Sequence, residues 1–253
     1  LDVLDSLGLR RGRVPHDGPQ TVRMMADGHE LINFGGNDYL GLAADPRLVR
    51  AAQEAMQDEA WGSGASPLVT GYGRMHARLE QRLAEFEASE AALVFSSGYV
   101  ANLGAITSLV GRGDVIFSDA KNHASIIDGC RLSGARIQVY PHCDVDFLEN
   151  MLAQADGFRK RLIVSDSLFS MDGDLAPLED LADAAGRYDA MLMIDEAHAT
   201  GVFGPEGRGG AEHLGIEDRV PIRVATLSKA LGSSGGVVAG RRSLIDLLVN
   251  RAR

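Results

Sequence analysis

The sequence predicts an α/β domain: a mostly parallel seven-stranded sheet with helices on both faces. Two observations carry this. From about residue 90 onward, short β-branched runs alternate with amphipathic helical stretches, the pattern of successive strand–helix–strand units. The runs are also short, apolar and bounded by Gly, Pro, Asp or Ser, as strands covered on both faces are.

The expected strands, in order, are Ala92 to Phe95, Val115 to Phe117, Arg136 to Tyr140, Leu162 to Ser165, Ala190 to Ile194, Arg223 to Thr226 and Gly236 to Ala239. Between them, helical spacing covers Tyr99 to Val110, Ile126 to Ser133, Val145 to Gln154 and Leu178 to Tyr188, the last opened by Ala176-Pro177. Upstream the pattern changes to an Arg-bearing segment, one strand at Leu31 to Phe34, and helices near Pro46 to Gln57 and Met75 to Glu87. A last helix is expected over Arg241 to Arg251. The expected division is an N-terminal arm over 1–45, a large domain over 46–240, and over 241–253 the start of a connection to a further domain.

Composition narrows the class of function. With 253 residues and a net charge of −10, the chain has no bulk attraction for phosphate backbones or anionic membranes, so neither a nucleic acid nor a membrane is expected as partner. No window nears 18 consecutive apolar residues, and the N-terminus has no basic signal region. The two cysteines, Cys130 and Cys143, form no CxxC or metal-ligand spacing; reduced thiols, a cytoplasmic location and no metal are expected. The 30 glycines exceed the usual ~7% and predict tight turns or close backbone approach to a ligand.

Candidate chemistry gathers at the carboxyl ends of the strands, where open α/β sheets bind ligands. The apolar run Met191 to Ile194 ends in Asp195-Glu196-Ala197-His198, the acidic box of nucleotide-driven helicases, but no G-x-x-x-x-G-K-[ST] phosphate loop accompanies it. Gly232-Ser233-Ser234-Gly235-Gly236 matches a serine-hydrolase elbow, yet no histidine follows Ser234 to complete a triad. The chain has three lysines. Lys160 sits in the solvated cluster Arg159-Lys160-Arg161, and Lys121 in a polar loop. Lys229 follows the strand ending at Thr226, at the same edge as Asp195 and just before a glycine-rich turn open to a flat ligand. An amine and a carboxylate at one edge are what pyridoxal phosphate needs: one for its aldehyde, the other for its ring nitrogen. Ser96-Ser97-Gly98-Tyr99 runs from a strand into a helix and offers free N–H groups to a phosphate, with Thr226 and Ser228 as further donors. His123 follows another strand and can stack on a planar ring.

With these residues in view, the chain resembles the α-oxoamine synthases, fold-type I pyridoxal-phosphate transferases (aspartate aminotransferase-like) that condense an amino acid with an acyl-CoA. The motifs run in order: Asn37-Asp38-Tyr39-Leu40-Gly41-Leu42, Gly62-Ser63-Gly64-Ala65-Ser66, Ser96-Ser97-Gly98-Tyr99, Asn122-His123-Ala124-Ser125, Phe169-Ser170-Met171-Asp172-Gly173-Asp174, Asp195-Glu196-Ala197-His198 and Thr226-Leu227-Ser228-Lys229. The resemblance implies pyridoxal 5'-phosphate as cofactor, held by Lys229 at its aldehyde and Asp195 at its ring nitrogen. His198 and Ser170 would lie near its phenolic oxygen, His123 would stack on the ring, and Gly98, Tyr99 and Thr226 would contact the phosphate. Catalysis would fall to Lys229, Asp195, His123 and His198. Arg10, Asn37 and His123 would meet substrate, with Arg11 an equal candidate for the position of Arg10.

Within the family, Gly71-Tyr72 before His76, together with Asn37-Asp38-Tyr39, resembles the branch that condenses L-alanine with pimeloyl-CoA in biotin biosynthesis. The alternatives are the 2-amino-3-ketobutyrate CoA ligase, 5-aminolevulinate synthase and serine palmitoyltransferase branches, or a fold-type I aminotransferase or decarboxylase. A non-enzymatic binding module is the remaining one. Pro67 departs from the Arg or Gly usual after Ser66. The resemblance also implies a homodimer, and a C-terminal small domain that this chain lacks.

Overall fold

A computed structural model describes residues 1–59 and 62–252; Arg253, the last residue of the expected C-terminal connection, lies outside them. In chain order the elements are α1 (Asp2–Ser6), β1 (His16–Asp17), β2 (Arg23–Ala26), β3 (His29–Ile32), α2 (Pro46–Glu59), α3 (Arg74–Phe86), β4 (Ala91–Phe95), α4 (Gly98–Leu109), β5 (Val115–Asp119), α5 (Ala124–Ser133), β6 (Arg136–Tyr140), α6 (Val145–Leu152), β7 (Arg161–Asp166), α7 (Leu178–Arg187), β8 (Met191–Asp195), α8 (Gly210–His213), β9 (Ile222–Thr226), β10 (Gly236–Gly240) and α9 (Arg242–Arg251).

The main sheet has seven strands in the order β4-β10-β9-β8-β7-β5-β6. β5, β6, β7, β8 and β9 pair in parallel, and β10 runs antiparallel between β9 and β4. All seven expected strands occur, each within a residue or two of its predicted limits. Alternation within them divides the core. Phe117, Ile163, Leu192 and Ile194 point to one face, where they meet Leu148 and Leu152 of α6 and Leu178 and Leu181 of α7. Their chain neighbours Ile116, Leu162, Val164 and Met193 point to the other, against Ile106 of α4, Ile126 of α5 and Ile245 and Leu248 of α9. Leu83 and Ala84 of α3 cover the sheet's β4–β10–β9 end on the first side.

The helices obey the same chemistry. Ser97 caps α4 by accepting a hydrogen bond from the Val100 N–H, and Asp144 caps α6 through Phe147 N–H. α7 places Glu179 and Asp180 in its first turn and Arg187 in its last, as its dipole favours. α5 ends on Gly134 in the left-handed region, at φ 71°.

The N-terminal segment departs from expectation. In place of one strand at Leu31 to Phe34, β1, β2 and β3 form a small antiparallel sheet, and Phe34 lies beyond it, 92% exposed. The cause is Asp27-Gly28, whose φ values of 49° and 74° make a tight hairpin turn of the kind Asp-Gly specifies, pairing Ala26 with His29.

The architecture delivers side chains to one place. Parallel pairing sends the ends of β5, β7, β8 and β9 to a single edge, with Asp166 directly across from Asp195. The end of β4 and the start of β10 reach the same edge, because Gly236 pairs with both Phe95 and Thr226. Phe117 is fully buried beneath that edge. We expect Phe117→Ala to destabilise the chain by about 3–5 kcal/mol, the cost of an aromatic-sized cavity, read as a lowered urea midpoint with little change in slope.

Candidate active site

A cavity of about 220 Å³ opens at the carboxyl edge of the sheet. Ser97, Gly98 and Tyr99 line it at the start of α4, and His123 and Ser125 at the start of α5. Asp166 and Asp195 lie at strand ends, Ser170 in the loop after β7, His198 after β8, and Thr226, Ser228 and Lys229 after β9. The structure therefore brings Lys229, Asp195, His123, His198, Ser170, Gly98, Tyr99 and Thr226 around one space.

Asp195 is buried and held at both oxygens. Oδ1 accepts the Ala197 N–H at 2.8 Å, and Oδ2 accepts the Asn102 side-chain amide at 2.6 Å. The same amide donates to Ser125 Oγ at 2.9 Å, and Ser125 Oγ lies 2.7 Å from His123 Nδ1. Asn102 Oδ1, also buried, has no protein partner. The His123 N–H donates to Asp166 Oδ2 at 2.8 Å, while the imidazole caps α5 through Ser125 N–H. Asn122 supports this loop from within: its amide donates to Ser118 Oγ and to the Val164 carbonyl, and its oxygen accepts the Asp166 N–H, each at 2.9 Å.

Lys229 Nζ lies 2.6 Å from His198 Nε2, and His198 Nδ1 lies 2.7 Å from the Tyr39 hydroxyl, which is 3.2 Å from Asn37 Oδ1. One protonation pattern satisfies every member. The lysine donates to Nε2, Nδ1–H donates to the phenol oxygen, and the phenol donates to Asn37. Asn37 thus joins the site through Tyr39 and not by lining the cavity. Arg10 is placed elsewhere, in an exposed ion pair with Asp5 at 2.8 Å.

Burial pushes the Lys229 amine down, and the charges of Asp195 and Asp166 oppose that fall. His198 is pushed down to about 4 by burial and then by the charge of Lys229, so at neutral pH its ring is an acceptor toward the amine. Asp166 is pushed up to about 8, first by burial and then by the charge of Asp195, against the opposing hydrogen bond from His123. A buried amine, a held carboxylate and a second acid poised near neutrality share one cavity, an arrangement suited to proton transfer at a bound carbonyl compound.

Among the described residues that line the cavity, none at the Gly98–Tyr99 and Thr226–Ser228 end is cationic. The start of α4 directs N–H groups outward from Gly98, where a Cβ would lie 3.3 Å from Thr226 Cβ. Thr226 Oγ1 lies 2.8 Å from Ser228 Oγ and donates to the Gly235 carbonyl. At Gly236, a Cβ would come within 2.4 Å of the Ser97 carbonyl, so only glycine lets β10 pass this close to the turn into α4.

The sequence reading assigned no role to Asn102, Asp166, Ser125 or Tyr39. Asp166 had a signal, since an acid closing a buried strand beside the strand of Asp195 lands at the same edge. Asn102 had none, being one of three polar residues in an otherwise apolar helix, with Thr107 and Ser108.

The chain matches the family model for aminotransferase class I and II over residues 29–253. It is 53% identical over 253 residues to the 8-amino-7-oxononanoate synthase of Anaeromyxobacter sp. (strain Fw109-5), covering 100% of this chain and 64% of that protein. Its fold aligns with the serine palmitoyltransferase of Sphingomonas wittichii at a TM-score of 0.93 and 35% identity, again over 100% of this chain and 64% of the other. A structure described as SPT with PLP aligns at 0.93 and 34% identity, with the same coverage. The chain thus spans just under two thirds of the length of these relatives.

His198 offers a direct check on the electrostatics. Its folded pKa lies below the unfolded value, so the stability tied to the neutral ring is present above about 6.5 and is lost as pH falls through about 4. An NMR titration should give a His198 midpoint near 4, and Lys229→Ala, by removing the adjacent cation, should move it upward toward the ordinary value.

Proposed function

The chain belongs to the class I and II aminotransferase family, and from that membership we propose that it is a pyridoxal-phosphate-dependent C-acyltransferase of the α-oxoamine synthase type. The reaction proposed is the condensation of L-alanine with pimeloyl-CoA to 8-amino-7-oxononanoate, with release of CoA and CO2, as in biotin synthesis. The observation that carries it is the single cavity shared by Lys229 and Asp195, with His198 2.6 Å from the lysine amine. The 53% identity to an 8-amino-7-oxononanoate synthase supports the choice of substrates. A second reading, a serine-using synthase, is favoured by the close fold match to serine palmitoyltransferase, at the lower identity of 35%.

The residues fit the cofactor on grounds internal to this chain. An amine and a carboxylate face one cavity, Asn102 Oδ1 is a buried acceptor without a protein partner, and the turn into α4 is kept clear of side-chain atoms at Gly98 and Gly236. When bound, pyridoxal phosphate supplies an aldehyde that takes an amine and a protonated ring that accepts the electron pair released at the amino acid's α-carbon. Lys229 would hold the aldehyde, Asp195 the ring nitrogen, and the N–H groups at Gly98 and Tyr99, with Thr226 and Ser228, the phosphate.

Each of the chain's groups has a task set by its surroundings. Burial disfavours the charged form of the Lys229 amine, which suits it to hold the cofactor's aldehyde; with the amino acid's own amine in its place there, the freed lysine would take the proton at the α-carbon. His198 Nε2 holds the lysine N–H and orients its lone pair. Asn102 and Ala197 N–H fix the Asp195 carboxylate so that it cannot turn away from the ring nitrogen. His123, anchored through Asp166 and Ser125, lines the cavity, where its ring would cover one face of the cofactor and exclude water. Ser170, which lines the same cavity as His198, would offer its hydroxyl to the phenolic oxygen. A two-fold dimer, a cytoplasmic location, and a large domain over 46–240 that continues into a C-terminal small domain belong to the same reading; both cysteines are free thiols. Among the described residues, no helix is long and apolar enough to cross a membrane.

The test is spectroscopic and then chemical. Pyridoxal phosphate added to the chain should give a visible absorbance band that borohydride discharges, leaving the label on Lys229; in Lys229→Ala the label should be absent. Asp195→Asn should keep the binding but lower the rate of CoA release from alanine and pimeloyl-CoA by about 10²-fold or more, since an amide cannot hold a protonated ring nitrogen by charge. Labelling of another lysine, or an unchanged rate in Asp195→Asn, would overturn the assignment. Faster turnover with serine than with alanine would favour the second reading.

A further inference from the structure

His142 stands outside the cavity, just after β6, in contacts that the proposed reaction does not use. Its Nδ1 lies 2.9 Å from Asp119 Oδ1 and its Nε2 lies 2.8 Å from Asp174 Oδ2. Asp119 closes β5, is buried, and also accepts the N–H groups of Lys121 and Cys143, both at 2.8 Å. Asp174 belongs to the loop between β7 and α7, half exposed. Carboxylate oxygens accept; a neutral imidazole carries one N–H, so it can serve only one of these acids. Serving both takes the two N–H groups of the imidazolium.

The surroundings agree with that charge. Beside His142 lie Asp119, Asp174 and the thiol of Cys143, and Lys121, whose N–H meets Asp119 from the same loop, has its ammonium paired with Asp172 at 2.7 Å. The Phe169 ring packs edge-on at 4.4 Å. The balance raises the His142 pKa: hydrogen bonds and charges of Asp119 and Asp174 outweigh the opposing effect of burial. Asp119, His142 and Cys143 are near enough to suggest a metal cluster. However, Cys143 Sγ sits 3.7 and 3.6 Å from the two ring nitrogens, in line with neither, and both nitrogens already face carboxylates.

Both acids matter because of what they join. Asp119 is part of the sheet. Asp174 is part of the 168–175 loop, which closes through the Leu168–Leu175 bridge and carries Ser170 into the cavity. Within that loop Phe169 N–H donates to the Asp174 carbonyl and Gly173 N–H to the Phe169 carbonyl. The paired Lys121 and Asp172 make a second, exposed link from the same side.

We propose that His142 is a positioning residue: as an imidazolium it clasps the 168–175 loop to the end of β5 and thereby sets Ser170 against the cofactor cavity. The clasp is drawn from contacts of this chain alone, whereas its consequence for the cofactor rests on the reading of the cavity given above. The sign follows from linkage. The folded pKa is raised, so the clasp's contribution is fully present below the unfolded value of about 6.5 and is lost as pH rises through the folded one.

The test uses the intact 253-residue chain with pyridoxal phosphate. Hydrogen exchange at Phe169 and Gly173, corrected for the intrinsic rate at each pH, should quicken about tenfold as His142 titrates, the size expected for losing one charge-assisted bond. The affinity for pyridoxal phosphate should fall over the same pH range. Asp174→Ala, a change at a half-exposed side chain that leaves the Asp119 contact in place, should give the fast exchange and the weaker binding already at low pH and abolish the step. A flat exchange profile, a His142 midpoint at or below 6.5, or a loosened loop with unchanged cofactor affinity would each overturn the proposal. Failure of the wild-type chain to bind pyridoxal phosphate at any pH would instead defeat the reading of the cavity, and the exchange profile would still decide the clasp.

Discussion

The site depends on keeping an amine and two carboxylates together at one buried sheet edge. An isolated buried charge costs several kcal/mol, and a buried pair is tolerated only when its remaining hydrogen-bonding capacity is met. Here the account closes locally. Asp195 has two donors, Lys229 has an acceptor in His198 and the charge of Asp195 nearby, and Asp166 relieves the crowding of acids by holding its proton to about pH 8. Removing Lys229 or Asp195 would leave the other's charge buried without its partner.

That balance is possible because strand register and helix starts are set by ordinary packing. Apolar alternation fixes which side of β7 and β8 faces each layer of helices, and with it the alignment that puts Asp166 across from Asp195. A slip by one residue would turn Ile163 and Leu192 into the wrong layer and break the pairing of acids. The glycine at 236 has a complementary part. It lets β10 run against the turn that begins α4, so the helix end and the lysine loop reach one cavity from opposite sides.

Much of this was legible in the sequence. The seven strands could be read because each is an apolar run too short for a helix and bounded by turn residues. Lys229, Asp195, His123 and His198 stood out because their types and their places after strands restrict what they can do. The N-terminal hairpin was missed because its strands are two to four residues long, below the length at which alternation is visible, and its one clear signal, Asp27-Gly28, was not weighted. Asn102 could not be found at all: its contact with Asp195 spans 93 positions and depends on how α4 lies over the sheet. Tyr39 is similar, joined to His198 across 159 positions.

Two histidines at this edge show how far environment decides chemistry. His198 lies half-buried beside the Lys229 cation, and both burial and that charge favour the neutral ring. His142 lies between Asp119 and Asp174, and two acids favour the charged one. The unperturbed residues titrate alike. The fold therefore biases one imidazole toward accepting from an amine and the other toward donating to two carboxylates. Exchanging their surroundings would defeat both: a cationic His198 would repel the amine it orients, and a neutral His142 would release one of the acids it joins. What separates the two is the nearest charge, and the sheet places a lysine beside the first and a pair of acids around the second.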